Sequence, residues 1–191
     1  MPPDATDTKR RILSAARAEF AQFGLAGARV DRIADEGRVN KRSIYVHFGP
    51  KGDLFDLVVA TALTEMAEEV PFTAEDLPAY AGALFDYFVA HPEILRLTSW
   101  ANLERAKASA DEIEAYAPKV AALTEFFGDN AVDVLALLLG QVTAWQYASS
   151  ALRAHSTHDE WATKRLQQHR EILMVSVRAL VGTTSTVNHT Y

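Results

Sequence analysis

The chain has 191 residues, of which 49% are hydrophobic, so it is long and apolar enough to bury a substantial core, and a wholly disordered chain is not expected. It contains no cysteine, which excludes disulfides, thiol catalysis, cysteine-based redox sensing and thiolate metal sites. The formal net charge of −6 is divided unevenly, because residues 1–52 carry ten Lys and Arg against six Asp and Glu, whereas residues 53–191 carry nine against nineteen.

The charge distribution and the apolar runs limit the partners and the compartment that suit this chain. Only residues 1–52, with a balance of +4, favour a polyanion, although local imbalances are common and do not identify nucleic-acid binding by themselves. The longest strongly apolar run, 134–140, is far shorter than a membrane span. No apolar segment follows the basic residues near the N-terminus, so we expect a cytoplasmic protein without a membrane partner.

The spacing of apolar residues predicts helices throughout. They recur at intervals of three and four, and no alternating strand pattern occurs, so we expect an all-α fold of about nine helices. The first helix is predicted over about 8–23, with Asp7 or Thr6 as its cap and Gly24 as its stop. It is expected to support the two short helices that follow.

Residues 29–54 are predicted to form two short helices joined by a tight turn. The apolar side chains of each helix fall on one face, and these are Val30, Ile33 and Ala34 in the first helix and Ile44 and Phe48 in the second. The outer face of the second helix is left with Lys41, Arg42, Tyr45 and Val46. A short helix that exposes cations and an aromatic ring needs an external partner, and a helix-turn-helix presents such a helix to the major groove of DNA.

Several features of this stretch agree in both residue type and spacing with one known motif. They are Ile33-Ala34, Val39-Asn40, Ile44-Tyr45, His47-Phe48, Lys51 and Leu54, with Arg11-Ile12-Leu13, Ala15-Ala16 and Phe20 to Gly24 upstream. Together they resemble the DNA-binding motif of the TetR family of bacterial transcription regulators, over roughly residues 8–68. The resemblance implies an N-terminal three-helix DNA-binding head and a C-terminal helical domain for ligand binding and dimerisation.

The motif departs from the family pattern at two positions. Gly37-Arg38 stands where the family commonly has Ala-Gly, so the residue that adopts a positive φ at no steric cost lies one position early. Arg38 is therefore predicted to adopt a left-handed conformation. Arg29 stands where the family often has a Thr that contacts a phosphate, and its charge is expected to preserve that contact with more salt dependence.

The candidate DNA contacts are assigned partly by side-chain chemistry and partly by the resemblance. Arg42 suits a bidentate bond to guanine, Lys41 a base or a phosphate, and Val46 a thymine methyl group. The other candidates are Arg29, Tyr45, His47 and Lys51 as phosphate contacts, Ser43 as a neighbour of ambiguous role, and Asn40 as the cap of the recognition helix. Three of them have structural alternatives: His47 packing beside Phe48, a half-buried Tyr45, and Lys51 as an ordinary solvated cation.

The remaining helices are predicted to form a connection and a body. A helix over about 51–69 makes the connection, and the body helices are expected at about 74–90, 92–106, 110–127 with a break or kink at Pro118, 129–154 and 158–181. This organisation gives a DNA-binding domain over 1–52, an effector-binding and dimerisation domain over 53–182, and a frayed tail over 183–191.

The helix predicted over 129–154 is apolar around most of its circumference and carries small residues at intervals of four. By the resemblance, the last two helices form the dimer interface. The residues expected there are Ala136, Gly140, Ala144, Ala148, Leu166, Leu173 and Val177. A central helix buried within a monomer would give the same pattern.

The body contains more aromatic residues than the head requires, and the resemblance places an effector pocket in this region. The candidate lining residues are Phe85, Phe88, Trp100, Leu103, Tyr116, Phe126, Gln141 and Trp145. Such a lining suits an apolar or aromatic small molecule, although aromatic residues at helical spacing are more often ordinary core.

These features predict a regulator that binds a palindromic DNA operator as a homodimer and that a small-molecule effector releases. The resemblance implies that binding represses transcription. The alternatives are a helical small-molecule-binding protein or enzyme with a non-functional DNA-binding head, and a helical protein–protein adaptor. His155, His158 and Asp159 have a spacing that could ligate a metal, but the absence of further ligands favours a solvated loop. No cofactor and no catalytic motif is recognised.

Overall fold

The computed structural model describes residues 5–156 and 159–187, with side chains described over 6–156 and 159–183. These residues form ten α-helices and one 3₁₀ turn and contain no strand, which confirms the all-α prediction. The helices are α1 (Ala5–Gly27), α2 (Val30–Glu36), α3 (Lys41–Phe48), α4 (Lys51–Glu69), α5 (Leu77–Ala90), α6 (Pro92–Glu104), α7 (Ala110–Phe127), α8 (Ala131–Tyr147), α9 (Ser150–Arg153) and α10 (Thr163–Val187), and the 3₁₀ turn is Gly128–Asn130. No helix among them is both long and apolar enough to span a bilayer.

The chain divides into two compact units, each discontinuous in sequence. The first contains Met1–Met66 and His91–Glu114, and the second contains Ala67–Ala90 and Ala115–Tyr191. The functional division at residue 52 stays a prediction, but most of α4 and all of α6 pack with the head helices. The reason is the burial of apolar side chains, because Ile94 and Leu97 of α6 are completely buried.

The first unit is held together by an aromatic core and by polar anchors on α6. Phe20 of α1 and Phe55 of α4 are both fully buried and meet edge to face, with ring centroids 5.0 Å apart. Arg96 of α6 donates from Nε to the carbonyl of Ala21 at 2.8 Å. The carboxylate of Glu104, at the end of α6, accepts from the backbone N–H groups of Leu25 and Ala26.

Gly24 breaks α1 at the position where the sequence predicts its stop, and one further helical turn follows the break. Its backbone has φ 68° and ψ −177°, and the helix resumes beyond it as far as Gly27. The break frees the next N–H groups from helical bonding, and Glu104 satisfies two of them. A Cβ on Gly24 would lie 2.8 Å from the Trp100 ring, so both the dihedral angles and the space require glycine.

The second unit has a core formed by α5, α8 and α10. Leu84 and Phe85 of α5, Leu138 and Val142 of α8, and Val177 of α10 are all buried there. Only one face of α8 is buried, so the apolar surface predicted around most of this helix is half exposed.

The predicted helix over 129–154 is two helices in the structure. Ala148 leaves the helical region with ψ 140°, and α9 restarts after Ser149, whose hydroxyl accepts from the N–H of Leu152 at 3.1 Å. Arg153 then turns back and donates to the carbonyl of Trp145 at the end of α8, at 3.4 Å. The Ser149 cap and the hydrogen bond from Arg153 together explain the break, because they satisfy backbone groups that the break exposes.

Other boundaries differ from the predictions by a few residues. Helix α5 begins at Leu77, after Asp76 accepts from the N–H of Ala79 at 3.0 Å, and α7 runs through Pro118 without a break. Helix α10 continues to Val187, so the start of the predicted frayed tail is helical, and residues 188–191 lie outside the described part of the chain.

Candidate nucleic-acid interface

Helices α2 and α3 bury the apolar faces that the sequence predicts. Val30, Ile33 and Ala34 of α2 are buried, as is Ile44 of α3, whereas Phe48 is half-buried. On the opposite face of α3, the side chain of Val46 is 71% exposed and that of Tyr45 is 47% exposed. Tyr45 is thus covered over about half of its surface, and α3 offers an accessible apolar and aromatic surface.

The N-terminal end of α3 combines a cap with two exposed cations. Asn40 accepts at Oδ1 from the N–H of Arg42 at 2.8 Å, which confirms its predicted capping role. Lys41 lies 2.7 Å from a carboxylate oxygen of Asp31, and this hydrogen bond raises the pKa of Lys41. The pair is exposed and therefore weak, so the Lys41 ammonium group can exchange Asp31 for another partner at little cost. Arg42 and Ser43 follow, exposed and half-buried respectively.

The turn before α3 has the strained conformation that the sequence predicts. Arg38 has φ 51°, whereas Gly37 stays at φ −72°. The carbonyls of both residues accept from Nη1 of Arg11, each at 3.2 Å. A distant arginine on α1 therefore contacts the turn that sets the direction of α3.

The start of α2 is held by Glu19 of α1, a buried carboxylate. It accepts from the N–H of Arg29 at 2.7 Å and from Nε of Arg32 at 2.8 Å. Burial raises the pKa of Glu19, but the Arg32 hydrogen bond and the Arg29 N–H outweigh it, so the pKa lies below its ordinary value. The side chain of Arg29 itself stays exposed, in keeping with a phosphate contact.

The predicted phosphate ligands at the end of the motif have contacts of their own. Lys51 donates from Nζ to the carbonyl of Ala28 at 3.0 Å and to that of Ala26 at 3.4 Å, so it is not simply a solvated cation. His47 is half-buried and lies edge to face with Phe48, at 6.2 Å between centroids. Both residues thus have structural contacts in the unbound head.

Comparison with known proteins decides the family. Residues 12–58 match the family described as bacterial regulatory proteins, tetR family, and residues 76–178 match the tetracyclin repressor-like, C-terminal domain. The chain belongs to the TetR family. Its α2–α3 pair is accordingly the helix-turn-helix of a DNA-binding transcriptional regulator.

Individual TetR-family proteins resemble the chain over different lengths. It is 45% identical over 126 residues to the HTH-type transcriptional repressor SCO4008 of Streptomyces coelicolor, a match that covers 64% of the chain and 66% of that protein. It is 29% identical over 108 residues to the HTH-type transcriptional repressor NicS of Pseudomonas putida, covering 53% of the chain and 51% of that protein. The chain therefore aligns with less than two thirds of either relative.

The crystal structure of the putative transcriptional regulator SCO4942 from Streptomyces coelicolor is similar over nearly its whole length. It has a TM-score of 0.77 and 34% sequence identity, and the match covers 91% of this chain and 97% of that one. A transcriptional regulator from Aquifex aeolicus has a TM-score of 0.64 at 16% identity, covering 91% of this chain and 99% of that one, which shows the fold alone. Both TetR-type folds agree with the all-α architecture.

The structure separates the predicted pocket residues of this TetR-family chain into two groups. Trp100 and Leu103 belong to the first unit, where Trp100 packs on Gly24 and Leu103 is 77% exposed. The others belong to the second unit: Phe85, Phe88 and Trp145 are buried, Gln141 is half-buried, and Tyr116 and Phe126 are exposed. Trp100 thus packs within the first unit.

The predicted dimer residues also divide. Ala136, Gly140 and Ala144 lie on the exposed face of α8, and Ala148 and Leu166 are half-buried. Leu173 and Val177 are buried against the subunit's own core, which corrects their assignment to a surface. The exposed apolar side chains of α10 are instead Ile172 and Val175, on the opposite side of the helix.

Sequence reasoning missed the polar residues that position the head, namely Arg11, Glu19 and Glu104. Their partners lie 10 to 79 residues away in the chain. No local spacing signals such pairs. His158, one of the three residues with metal-ligand spacing, lies outside the described residues, and no group of three metal-binding side chains occurs within them.

Proposed function

We propose that this protein represses transcription as a homodimer on a palindromic operator, and that a small-molecule effector bound by the second unit releases it. The observation that carries the proposal is the exposed outer face of α3, with Arg42 and Val46 unobstructed on a capped helix. Such a helix fits the major groove, and a dimer would place two copies about one turn of DNA apart. The alternative, a binding protein with an inactive head, leaves this cationic face without a purpose.

The outer face of α8 supports dimerisation. Around the small residues Ala136, Gly140 and Ala144, the side chains of Val132 and Leu137 are more than half exposed. Small residues let a second helix approach closely, and apolar neighbours gain free energy when covered. The symmetric occupant of this face is a second copy of the chain.

Unsatisfied polar atoms in the second unit support effector binding. His169 lies beside Phe85 and Trp145, with ring centroids 5.3 and 5.1 Å away, and its Nε2 is buried without a partner. Burial and the nearby Arg165 lower the pKa of His169, which favours the neutral ring. The side-chain amide of Gln146 and Oε1 of Gln141 are also buried and unpaired. An aromatic effector with hydrogen-bonding groups would satisfy them.

Selection of bound sequences from random duplex DNA tests the proposal. A palindromic consensus with two half-sites, bound with strong salt dependence, is the expected outcome. If the protein retains no duplex at low salt, the result would favour the alternative of a binding protein with an inactive head. Small molecules are then screened for release of the protein from the selected duplex.

Replacing Arg42 with Ala is expected to relax base preference at one position of each half-site, at a cost of about 1–3 kcal/mol. The guanidinium is the group on α3 best suited to bidentate guanine recognition. Titration of duplexes that differ at each operator position measures the effect. A uniform loss of affinity across all positions would assign Arg42 to phosphate.

Replacing Lys51 with Ala is expected to lower affinity for all sequences alike and also to lower the melting temperature of the first unit. The second effect follows because Nζ donates to the carbonyls of Ala26 and Ala28. Lys9→Ala is the matched control, since Lys9 is an exposed cation of the same unit. If Lys51 contacts phosphate only, the variant's log affinity depends on log salt concentration with a slope smaller by about one, and its melting temperature does not change.

A further inference from the structure

The turn between α2 and α3 contains an unfavourable backbone conformation, which two backbone hydrogen bonds help to hold: the N–H of Arg38 donates to the Asp35 carbonyl at 3.1 Å and that of Val39 to the Ala34 carbonyl at 3.0 Å. Arg38, at φ 51°, is the one non-glycine residue with a positive φ among the described residues. Glycine adopts this region freely, whereas a side chain with a Cβ pays for it. The neighbouring Gly37 cannot take over the role, because it holds φ −72° and its N–H bonds the Ile33 carbonyl at 2.9 Å.

Arg11 of α1 adds contacts to two carbonyls of this turn, from 26 and 27 residues away. Its Nη1 donates to the carbonyls of Gly37 and Arg38, both at 3.2 Å. On the other side of the guanidinium, Nε lies 3.1 Å from a carboxylate oxygen of Asp7, one helical turn earlier. The Arg11 side chain is 31% exposed, and its Nε has this ion pair but no hydrogen bond.

We propose that Arg11 is a positioning residue for DNA recognition, which holds the strained Arg38 turn against α1 and thereby fixes the orientation of α3. The inference rests on the proposed function, in which α3 binds DNA.

The contact of Arg11 with the turn is important because α3 is short. The helix has eight residues, and Ile44 is its one fully buried side chain. Its N-terminal end follows directly from the turn, where the N–H of Val39 bonds the Ala34 carbonyl and Asn40 caps the helix. A change in the turn therefore alters the direction of the whole helix, since little core packing resists it.

A double-mutant cycle on Arg11 and Arg38 tests the proposal. Arg11→Ala is expected to weaken binding to the selected operator about tenfold, the equivalent of about 1.4 kcal/mol. In the Arg11→Ala background, Arg38→Gly is expected to restore most of this loss, because glycine holds the positive φ without help. Coupling between the two positions is the deciding quantity, so a direct phosphate contact by Arg38 does not obscure it.

Arg10→Ala is the matched control for charge. Arg10 precedes Arg11 on the same helix and also pairs with Asp7, at 2.6 Å, but its side chain is 75% exposed and makes no contact with the turn. We expect its loss to change operator affinity less than threefold, with no rescue by Arg38→Gly. Equal losses for Arg10→Ala and Arg11→Ala, each unaffected by Arg38→Gly, would overturn the positioning role.

Amide hydrogen exchange tests, without DNA, whether Arg11 fixes the turn between α2 and α3. Arg11→Ala is expected to speed exchange at Arg38 and Val39, and Arg38→Gly in that background to slow it again, while circular dichroism stays unchanged. If these exchange changes are seen but the protein binds no duplex, Arg11 fixes the turn and the proposed function fails. Unchanged exchange would show that Arg11 does not fix the turn. If Arg11→Ala does not fold, Arg11→Lys, which keeps one donor group, replaces it.

Discussion

Phe55→Ala is expected to reduce the free energy of unfolding of the first unit by about 3–5 kcal/mol, the range for deletion of a fully buried aromatic side chain. Phe55 is completely buried and meets Phe20 edge to face. The guanidinium of Arg105 also lies 5.6 Å from the centre of its ring while donating to Asp56 and Glu112. The substitution therefore leaves a cavity and removes the apolar support of an ion-pair network that joins α4, α6 and α7.

Denaturation by urea, followed by tryptophan fluorescence, measures this loss. The protein has three tryptophans, and Trp100 lies in the first unit while Trp145 and Trp161 lie in the second. Replacing the latter two with Phe makes Trp100 the reporter of the first unit. Leu57→Ala is the control, because Leu57 is on the same helix but 42% exposed, and a loss there as large as for Phe55 would contradict the assigned core.

Gly24→Ala is expected to destabilise the same unit by about 3 kcal/mol, from a positive φ and from overpacking together. The new Cβ would meet the Trp100 ring at 2.8 Å. Relief requires α6 to move away from α1, which would also draw Glu104 from the N–H groups of Leu25 and Ala26. Operator affinity is therefore expected to fall together with stability.

Gly52→Ala provides a control with the opposite sign. Gly52 lies within α4, and a Cβ there would have no neighbour within 4 Å. Alanine is expected to stabilise the helix by about 0.5–1 kcal/mol. The same fluorescence titration compares both variants, and a Gly24→Ala protein as stable as the parent would show that Trp100 does not confine this position.

The sequence predicted those parts of the head whose determinants are local. The spacing of Ile33, Ala34 and Ile44 predicted which faces of α2 and α3 are buried, because helical periodicity alone decides this. The position of Gly37 one residue early predicted the left-handed Arg38 from steric limits on φ. The cap at Asn40 follows from the side chain and its place before the helix.

Features that depend on how side chains fold back or pack in three dimensions could not be predicted in this way. The sequence around Ala148 favours helix, and the break there depends on Arg153 folding back onto the end of α8. Leu173 and Val177 have the apolar character of either a core or an interface, and only the packing of α10 distinguishes the two. The assignment of Lys51 to phosphate likewise missed its bonds to Ala26 and Ala28.

The discontinuity of the first unit has a practical consequence for protein engineering. The chain leaves this unit after Met66 and re-enters it at His91, bringing α6 to cover α1. A fragment cut after α4 would expose the surfaces against which Ile94, Leu97 and Trp100 pack, and would invite aggregation. Chimeric regulators made by exchanging heads between homologues should therefore transfer residues 91–114 along with the N-terminal helices.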